Sequence, residues 1–392
     1  MIKKLRVQNF KALRDIEIEL TPIHVLIGPN DSGKTSILDV LAALCRSVDH
    51  KLSQAFLGSW KNAELVWGSN PKLLVTLEAN FDDPMTKLYS ISVSFKSLNR
   101  DKEVIVLNES HYDGTVEQKL EGQRQIDATA ICSDFFISGD LANRCKHTRE
   151  LLRGVHYYRF DPSFLALPVA PDTKRRFRME SNGFGLALCL DEILSFDRDL
   201  FSQLENRFKQ IFPYIKSIKL IQEEAYQAPV DAPEKVTMLR KADGKGLYFQ
   251  MKQSDQLIPA SQASDGTLLI LAYLAILYLP EPPRLLLLEE PENGIHPKRL
   301  RDILEILRQL VHEQSHTQVV LTTHSPYVLD LFKPEEVTLC TKLDTGEIKT
   351  TRLSDRPTVM QQLDVFTLGE VWTSEGDEKI AESKDEITRA KE

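Results

Sequence analysis

The pattern of apolar and polar residues predicts an α/β protein whose chain opens with sheet. Apolar and polar residues alternate over 2–10 and 16–20, which predicts two half-buried strands around a polar turn. The apolar run Val25-Leu26-Ile27 follows and is typical of a strand buried on both faces. Further alternation predicts an antiparallel meander with a turn at Asp113-Gly114. Its strands are expected at 73–81, 89–95, 103–107 and 110–119.

The second half of the chain alternates helical and strand patterns. Leu285-Leu286-Leu287-Leu288 predicts a buried strand between a buried helix at 267–279 and an amphipathic helix at 298–312. With a further strand at 319–321 this is βαβ order, which is typical of a parallel sheet. Residues 184–211 have the spacing of one or two short helices. More strands are expected at 215–223, 237–240 and 247–251, with a turn at Asp243-Gly244.

Length, charge and cysteine usage narrow the class of protein. The chain has 392 residues, 42% of them hydrophobic, and a formal net charge of -8, so any nucleic-acid contact needs a local basic patch. Its scattered cysteines form no CxxC pair, which indicates a reducing compartment. The longest apolar run, 268–279, is too short to span a bilayer, and the first residues lack the apolar core of a signal peptide. We therefore expect a cytoplasmic protein with no membrane partner.

The most basic segment is 143–178. It contains nine Lys or Arg residues against three acidic ones. One interpretation is contact with a polyanion such as DNA, through Arg175, Arg176 and Arg178. The other is a solvated surface that the acidic remainder of the chain balances. The sequence leaves both interpretations open.

A glycine-rich loop follows the apolar run at 25–27. Its sequence, Gly28-Pro29-Asn30-Asp31-Ser32-Gly33-Lys34-Thr35, matches the P-loop, in which backbone N–H groups and a lysine hold nucleotide phosphates. The residues from Ser36 onward predict a helix, whose N-terminus favours anions. We assign ATP binding to 28–36 and a Mg²⁺ ligand to Thr35. Asp31 brings an unusual negative charge near phosphate, although Asp tolerates the left-handed backbone.

Three further short sequences carry candidate chemistry. Ser264-Asp265-Gly266 precedes the predicted buried helix, where a hydroxyl and a helix N-terminus bind anions, although taken alone it is merely a helix cap. Glu289-Glu290 ends the apolar strand, where an acidic pair is costly unless it holds a cation or a proton. His324 follows the last apolar strand and precedes Ser325-Pro326. Ligand sites of α/β proteins form at such strand ends.

Together these motifs resemble those of ABC-superfamily ATPases, in the branch that contains RecF, the SMC heads and the overcoming-lysogenisation-defect (OLD) ATPases. Within that branch the chain is most similar to stand-alone AAA_21-like ATPases of DNA-repair and phage-defence operons. The resemblance covers about 1–370 and includes Asn9-Phe10-Lys11 and 182–186. It implies an α/β fold, an ABC-type P-loop head with a mostly parallel core sheet, an N-terminal antiparallel β subdomain and a helical subdomain.

The resemblance also suggests where the head divides. We expect an N-terminal lobe with the P-loop at 1–135, a helical or insert region at 136–260 and a C-terminal lobe at 261–370. Residues 371–392 would form a charged tail. The acidic and basic residues from 375 onward predict a frayed helix or disorder there.

The resemblance further implies a role for each motif. Glu290 would orient and deprotonate the attacking water, and His324 would bond the γ-phosphate. Glu289 would hold Mg²⁺. Most ABC proteins have aspartate at this position, and glutamate is one methylene longer, so direct contact and contact through water both stay open. Ser264-Asp265-Gly266 would close the ATP site of a second subunit, so that two chains sandwich two nucleotides. Residues 293–296 are either the loop that crosses this interface or a plain turn, and no Q-loop glutamine is assigned.

The implied activity is hydrolysis of ATP to ADP and phosphate with Mg²⁺, by a homodimer or higher oligomer. The chain would act as a sensor, scaffold or regulator beside a separate effector, either a nuclease or a toxin. No acidic DxD cluster follows His324, so we do not expect a TOPRIM nuclease here. A nucleotide-gated scaffold with little turnover would carry the same motifs. A transporter subunit is disfavoured by the signature sequence and by the lack of a membrane segment.

Overall fold

A computed structural model describes residues 1–48, 50, 52–57, 62–98, 101–125, 140–171, 178–227, 240–254, 256–314 and 316–382. The chain divides into two compact units. The first comprises Met1–His156, Pro283–Leu287 and His316–Glu392, and the second comprises Tyr157–Pro282 and Leu288–Ser315. The divisions expected near residues 135, 260 and 370 stay predictions.

The regular elements are numbered along the chain. The strands are β1 (Ile2–Phe10), β2 (Leu13–Glu19), β3 (Ile23–Ile27), β4 (Val75–Phe81), β5 (Leu88–Leu98), β6 (Asp101–Tyr112), β7 (Glu117–Gln125), β8 (Val155–Tyr158), β9 (Ile215–Gln227), β10 (Arg240–Met251), β11 (Leu257–Pro259), β12 (Leu285–Glu289), β13 (Gln318–Thr322), β14 (Val337–Lys342) and β15 (Ile348–Arg352). The α-helices are α1 (Lys34–Arg46), α2 (Asp140–Leu152), α3 (Pro162–Leu165), α4 (Leu186–Phe196), α5 (Arg198–Ile211), α6 (Asp265–Leu277), α7 (Pro297–Glu313), α8 (Pro326–Leu329), α9 (Pro357–Gln362), α10 (Leu368–Glu375) and α11 (Asp377–Glu382). Within the described ranges no helix is long and apolar enough to cross a membrane.

An antiparallel sheet in the first unit confirms the predicted meander. Its strand order is β2-β1-β4-β5-β6-β7. The alternation along β1 buries Leu5 and Val7 on one face, which is why the apolar pattern has a period of two. The expected turn lies between β6 and β7. Asp113 Oδ1 accepts there from the backbone N–H groups of Thr115 and Val116, at 2.7 and 2.8 Å.

A second sheet, most of which belongs to the first unit, carries the P-loop. Its strand order is β15-β14-β3-β13-β12-β8. The central strand β3 pairs in parallel with both β13 and β14, whereas β15 is antiparallel to β14. Every residue of β3 is buried, as the apolar run predicts. These two sheets confirm the predicted fold class, with an antiparallel N-terminal sheet and a core sheet rich in parallel pairs.

His24 is a polar residue inside this buried strand. Its Nε2 lies 2.9 Å from Thr338 Oγ1, and its Nδ1 lies 3.1 Å from Thr21 Oγ1. Burial, and then the positive charge of Arg352, lower the pKa of His24 to about 3. The imidazole is therefore neutral in the folded protein at any ordinary pH.

Mild acid should destabilise the protein through His24. The pKa of an unfolded histidine is 6.5, so the unfolded state binds one more proton than the folded state between pH 6.5 and about 3. The stabilisation from neutral His24 is complete above pH 6.5 and is lost as the pH falls. Its loss between pH 7 and pH 5 should be about 2 kcal/mol of unfolding free energy.

Urea denaturation at pH 7 and pH 5 measures this effect. His24→Gln removes the titrating group and should reduce the pH dependence of the unfolding free energy by about 2 kcal/mol over this range. Because each protein is compared with itself at two pH values, any pH-independent loss of unfolding free energy caused by the substitution cancels. An unchanged pH dependence in the variant would show that His24 is not the responsible group.

The second unit combines helices with a small antiparallel sheet of order β11-β10-β9. Helix α6 is buried at every position from Thr267 to Leu277, which explains why its sequence is apolar all round. Helix α7 is amphipathic and packs against α6. Helices α4 and α5 fill the range predicted for one or two short helices. Residues 237–239 of one predicted strand lie outside the described residues.

The turn predicted at Asp243-Gly244 is wrong. These residues lie inside β10, which pairs without interruption with β9 at this point. A Cβ atom on Gly244 would overlap the carbonyl oxygen of Val169, because Val169 exchanges backbone hydrogen bonds of 2.8 and 2.9 Å with Lys245. The glycine therefore permits close approach of another backbone segment and does not mark a turn.

Part of the segment predicted to be a charged tail is packed. Helix α11 buries Ile380, which is 2% exposed. Its Ala381 carbonyl accepts hydrogen bonds from Arg356 Nη2 at 3.0 Å and Lys349 Nζ at 3.2 Å. Residues 377–382 are thus an ordered helix of the first unit, and 383–392 lie outside the described residues.

Candidate nucleotide site and acidic pair

The glycine-rich loop connects β3 to α1, as predicted. Gly28, Asp31 and Gly33 have φ angles of 134°, 62° and 85°, a region that L-residues rarely adopt. Asp31 thus takes the left-handed backbone expected of it, and its side chain is exposed. These angles turn the chain from the end of a buried strand directly into the first turn of a helix.

Two glycines let the loop pack tightly against neighbouring strands. A Cβ atom on Gly28 would overlap the carbonyl oxygen of Cys340 in β14. A Cβ atom on Gly33 would lie 2.8 Å from Ile348 Cγ1 in β15. The glycines therefore satisfy two demands at once, an unusual φ angle and close contact. The loop is held in place before any ligand binds.

Lys34 is buried and its ammonium group points into the loop. Its Nζ donates to the carbonyl oxygens of Gly28 at 2.9 Å and Pro29 at 2.7 Å. Ser32 Oγ, also buried, lies 3.4 Å away. Lysine is almost never buried unless its charge has partners, so this arrangement concentrates positive charge inside the loop.

The groups around Lys34 fit the phosphates of a nucleotide. Gly33 precedes α1 and provides no side-chain cap, and the N-terminus of a helix favours an anion. Thr35 is exposed at this helix start and Ser36 follows it, half-buried. The hydroxyl of Thr35 is a hard oxygen ligand of the kind that Mg²⁺ prefers. Pro29 and Asn30 form the exposed outer part of the loop.

His324 lies at the same edge of the sheet as the P-loop. Leu26 and Thr322 are register partners in the parallel pair of β3 and β13, and Thr323 N donates to Leu26 O at 3.1 Å. His324 follows at once and is half-buried. The carboxyl ends of these two strands therefore bring the predicted histidine and the P-loop to one edge.

The acidic pair is surrounded by polar side chains of the second unit. Tyr157 Oη donates to Glu289 Oε2 at 3.2 Å, and Asn293 Nδ2 donates to Glu290 Oε2 at 2.6 Å. Arg159 lies 3.9 Å from a Glu289 oxygen and 3.8 Å from a Glu290 oxygen. Glu290 also has a φ angle of 49°, and such backbone strain clusters at functional sites.

Tyr157 and Arg159 were not singled out from the sequence. Arg159 counts there only as one of the nine basic residues of the 143–178 span. The signal in the sequence that bears on them is the alternation of side chains along a strand. Tyr158 is buried and stacks on Phe160 with ring centroids 4.7 Å apart, which fixes one side of the strand. Alternation places Tyr157 and Arg159 together on the opposite side, but it does not identify the acidic partners.

Ser264-Asp265-Gly266 begins α6, as predicted. Ser264 Oγ accepts from Thr267 N at 3.3 Å and lies 2.7 Å from Thr267 Oγ1, so the serine caps the helix. Ser264 and Asp265 are exposed, and a Cβ atom on Gly266 would meet no heavy atom within 4 Å. The cap is observed, and contact with the nucleotide of a second subunit stays a prediction.

The turn after the acidic pair lies beside this signature segment. A Cβ atom on Gly294 would lie 3.7 Å from Asp265 Cβ. His296 then caps α7 through its Nδ1, which accepts from Lys298 N at 3.3 Å. The second unit thus brings 293–296 and the signature segment together, although the two are distant in sequence.

The predicted DNA contact is only partly within the described residues. Arg175 and Arg176 lie outside them, and Arg178 is exposed. The contact stays a prediction.

Comparison with known proteins places these motifs in a family. A family model described as "AAA domain, putative AbiEii toxin, Type IV TA system" matches residues 23–330. The OLD nuclease of Thermus scotoductus is 22% identical over 354 residues, which are 87% of this chain and 62% of that protein. The chain therefore spans less than two thirds of this relative. A crystal structure of an SMC head bound to the C-winged helix domain of ScpA matches with a TM-score of 0.52 and 12% identity, covering 90% of this chain and 99% of the other.

The family model covers most of the chain, including the P-loop, the signature segment, the acidic pair and His324. The SMC head shares the fold, with its antiparallel N-terminal sheet and parallel-rich core sheet. The family model and the OLD nuclease confirm the resemblance that the motifs indicate, and the SMC head confirms the expected fold. The chain belongs to the family described as "AAA domain, putative AbiEii toxin, Type IV TA system", and it has the motifs and fold of the ABC superfamily, in the branch of RecF, SMC and OLD proteins.

Proposed function

We propose that this chain binds ATP with Mg²⁺, dimerises around the nucleotide and hydrolyses it to ADP and phosphate. The observation that carries the proposal is the buried ammonium group of Lys34, held by the carbonyl oxygens of Gly28 and Pro29 at the uncapped start of α1. A phosphate is a stronger partner for that charge than two neutral carbonyl groups. The same loop therefore exchanges internal hydrogen bonds for bonds to a nucleotide.

Each predicted site residue has a role in this proposal. Gly28 to Ser36 hold the phosphates, while Thr35 and Glu289 hold Mg²⁺, which neutralises charge on the phosphates when bound. Glu290 accepts the proton of the attacking water, and Asn293 keeps its carboxylate in place through the 2.6 Å hydrogen bond. His324 donates to the γ-phosphate. Ser264, Asp265 and Gly266 complete the site of the second subunit.

We further propose that the ATPase serves as sensor, scaffold or regulator in a DNA-repair or anti-phage complex, with a nuclease or toxin on a separate chain. Two comparisons support a partner of this kind. The relative that matches 87% of this chain is described as a nuclease. The SMC head of similar fold is bound to a domain of another protein, ScpA.

Light scattering tests whether two chains sandwich the nucleotide. Glu290→Gln with Mg-ATP should shift to about twice the monomer mass, because ATP binds and is not consumed. Adding Ser264→Arg should prevent the shift, since a bulky charged side chain would stand where the signature meets the second nucleotide. Lys34→Ala should prevent it through loss of ATP binding.

Ser202→Arg provides the matched control for the signature variant. Ser202 is an exposed helical serine of the same unit, and its replacement should leave the dimer intact. Ser264→Arg also removes a helix cap worth about 1 kcal/mol, so thermal unfolding must show that this variant is folded. A mass that stays monomeric in Glu290→Gln while ATP is bound would contradict the sandwich.

A further inference from the structure

Arg159 contacts both carboxylates of the acidic pair, and none of the roles above uses it. Its Nη1 lies 3.9 Å from Glu289 Oε1, and its Nη2 lies 3.8 Å from Glu290 Oε2. One guanidinium group thus extends one arm to each carboxylate. The arginine side chain is 62% exposed, whereas those of the two glutamates are 11% and 23% exposed. Arg159 is therefore more exposed than either carboxylate.

The backbone next to β8 fixes where this side chain begins. Arg159 N donates to Ser181 O at 2.7 Å. Tyr157, two residues earlier and on the same side of the strand, donates its hydroxyl to Glu289 Oε2 at 3.2 Å. The buried Tyr158 anchors the opposite side. The start of the arginine is thus held in place, while its charged end stays in solvent.

The acidic pair places two negative charges side by side in the chain. Neighbouring carboxylates repel each other, and a positive charge near both offsets that repulsion. Arg159 supplies such a charge in this structure. A divalent cation at Glu289 would supply a larger one, and it would repel the guanidinium group. The two cations therefore compete for the same pair of carboxylates.

We propose that Arg159 is a built-in counter-cation that competes with the divalent cation for Glu289 and Glu290 and withdraws when the cation binds with nucleotide. The inference rests on the proposed function, because Glu289 meets a metal only if the chain binds ATP with one. Arg159 is a positioning residue in this scheme. It pairs with both carboxylates in the absence of nucleotide and sets the cation concentration at which the site becomes competent.

The Mg²⁺ dependence of nucleotide binding tests this competition. Calorimetry gives the affinity for AMP-PNP, which is not hydrolysed, at a series of buffered free Mg²⁺ concentrations. In Arg159→Ala the half-saturating Mg²⁺ concentration should fall by about threefold to tenfold, the effect of removing one exposed charge from two ion pairs. In Arg159→Lys it should stay close to the wild-type value, because a positive charge remains.

Arg301→Ala is the matched control, because it removes an exposed arginine from α7 of the same unit. Its half-saturating Mg²⁺ concentration should equal that of the wild type. A value for Arg159→Ala equal to or above the wild-type value would overturn the inference. So would a value for Arg159→Lys as low as that for Arg159→Ala, because competition by charge would then be excluded.

Two additions keep the test decisive. Electron paramagnetic resonance measures bound Mn²⁺ in the presence of AMP-PNP, independently of calorimetry. The half-saturating Mn²⁺ concentrations should rank the variants in the same order as the Mg²⁺ values. If Arg159→Ala does not fold, Arg159→Gln removes the charge at similar side-chain length. A wild type that fails to bind AMP-PNP at any Mg²⁺ concentration would contradict the proposed function itself, so the two failures are distinguishable.

Discussion

Replacing Glu290 by glutamine should lower steady-state phosphate release by at least about 100-fold while ATP binding is kept. Glutamine has nearly the same shape but cannot accept the proton of the attacking water. The side chain sits at a backbone φ angle of 49° and accepts from Asn293 Nδ2 at 2.6 Å, so its direction is strongly constrained. The substitution thus changes chemistry more than geometry. Phosphate release and binding of a fluorescent ATP analogue measure the two effects separately.

Glu281→Gln is the control for this prediction, because it makes the same chemical change at an exposed residue of the same unit. Its rate should match the wild type. Equal rates in Glu290→Gln and wild type would exclude Glu290 as the general base. A wild type that binds ATP but releases almost no phosphate would favour the nucleotide-gated scaffold.

Elements whose burial or backbone angles restrict the residues they accept could be predicted from the sequence. A strand with neighbours on both sides and both faces covered is mostly apolar, as β3 is apart from the hydrogen-bonded His24. The same holds for α6, which is buried at every position from Thr267 to Leu277. The P-loop was predictable for a different reason, because its backbone angles and packing restrict residues such as Gly28 and Gly33.

Contacts between distant segments could not be predicted in the same way. Tyr157 and Glu289 are 132 residues apart, and nothing near either residue identifies the other. At Gly244 a distant contact made a local prediction wrong. An Asp-Gly pair is a turn signal, but this glycine lies beside the backbone of Val169 within a strand. The role proposed for Ser264 needs a second subunit and therefore depends on atoms outside this chain.

Gly28→Ala should lower the free energy of unfolding by about 3 kcal/mol or more and abolish nucleotide binding. Gly28 has a φ angle of 134°, which L-residues rarely adopt, and strain of this kind costs about 1–3 kcal/mol. A Cβ atom would also overlap Cys340 O and lie 3.0 Å from Ser32 Oγ, so β14 or the loop must move. Overpacking of this type costs a further amount of about 1–3 kcal/mol.

Gly68→Ala separates the two contributions, because Gly68 has a φ angle of 58° but a Cβ atom there would meet nothing within 4 Å. It should cost only about 1 kcal/mol, the price of the left-handed backbone alone. Urea denaturation gives both values, and a fluorescent ATP analogue reports binding under conditions in which each variant is folded. If Gly28→Ala proves no less stable than Gly68→Ala, β14 can yield at little cost, and the loop is not held by that contact. If it is less stable yet binds ATP normally when folded, the glycine supports the fold, and the position of the phosphates depends on Lys34 and the start of α1.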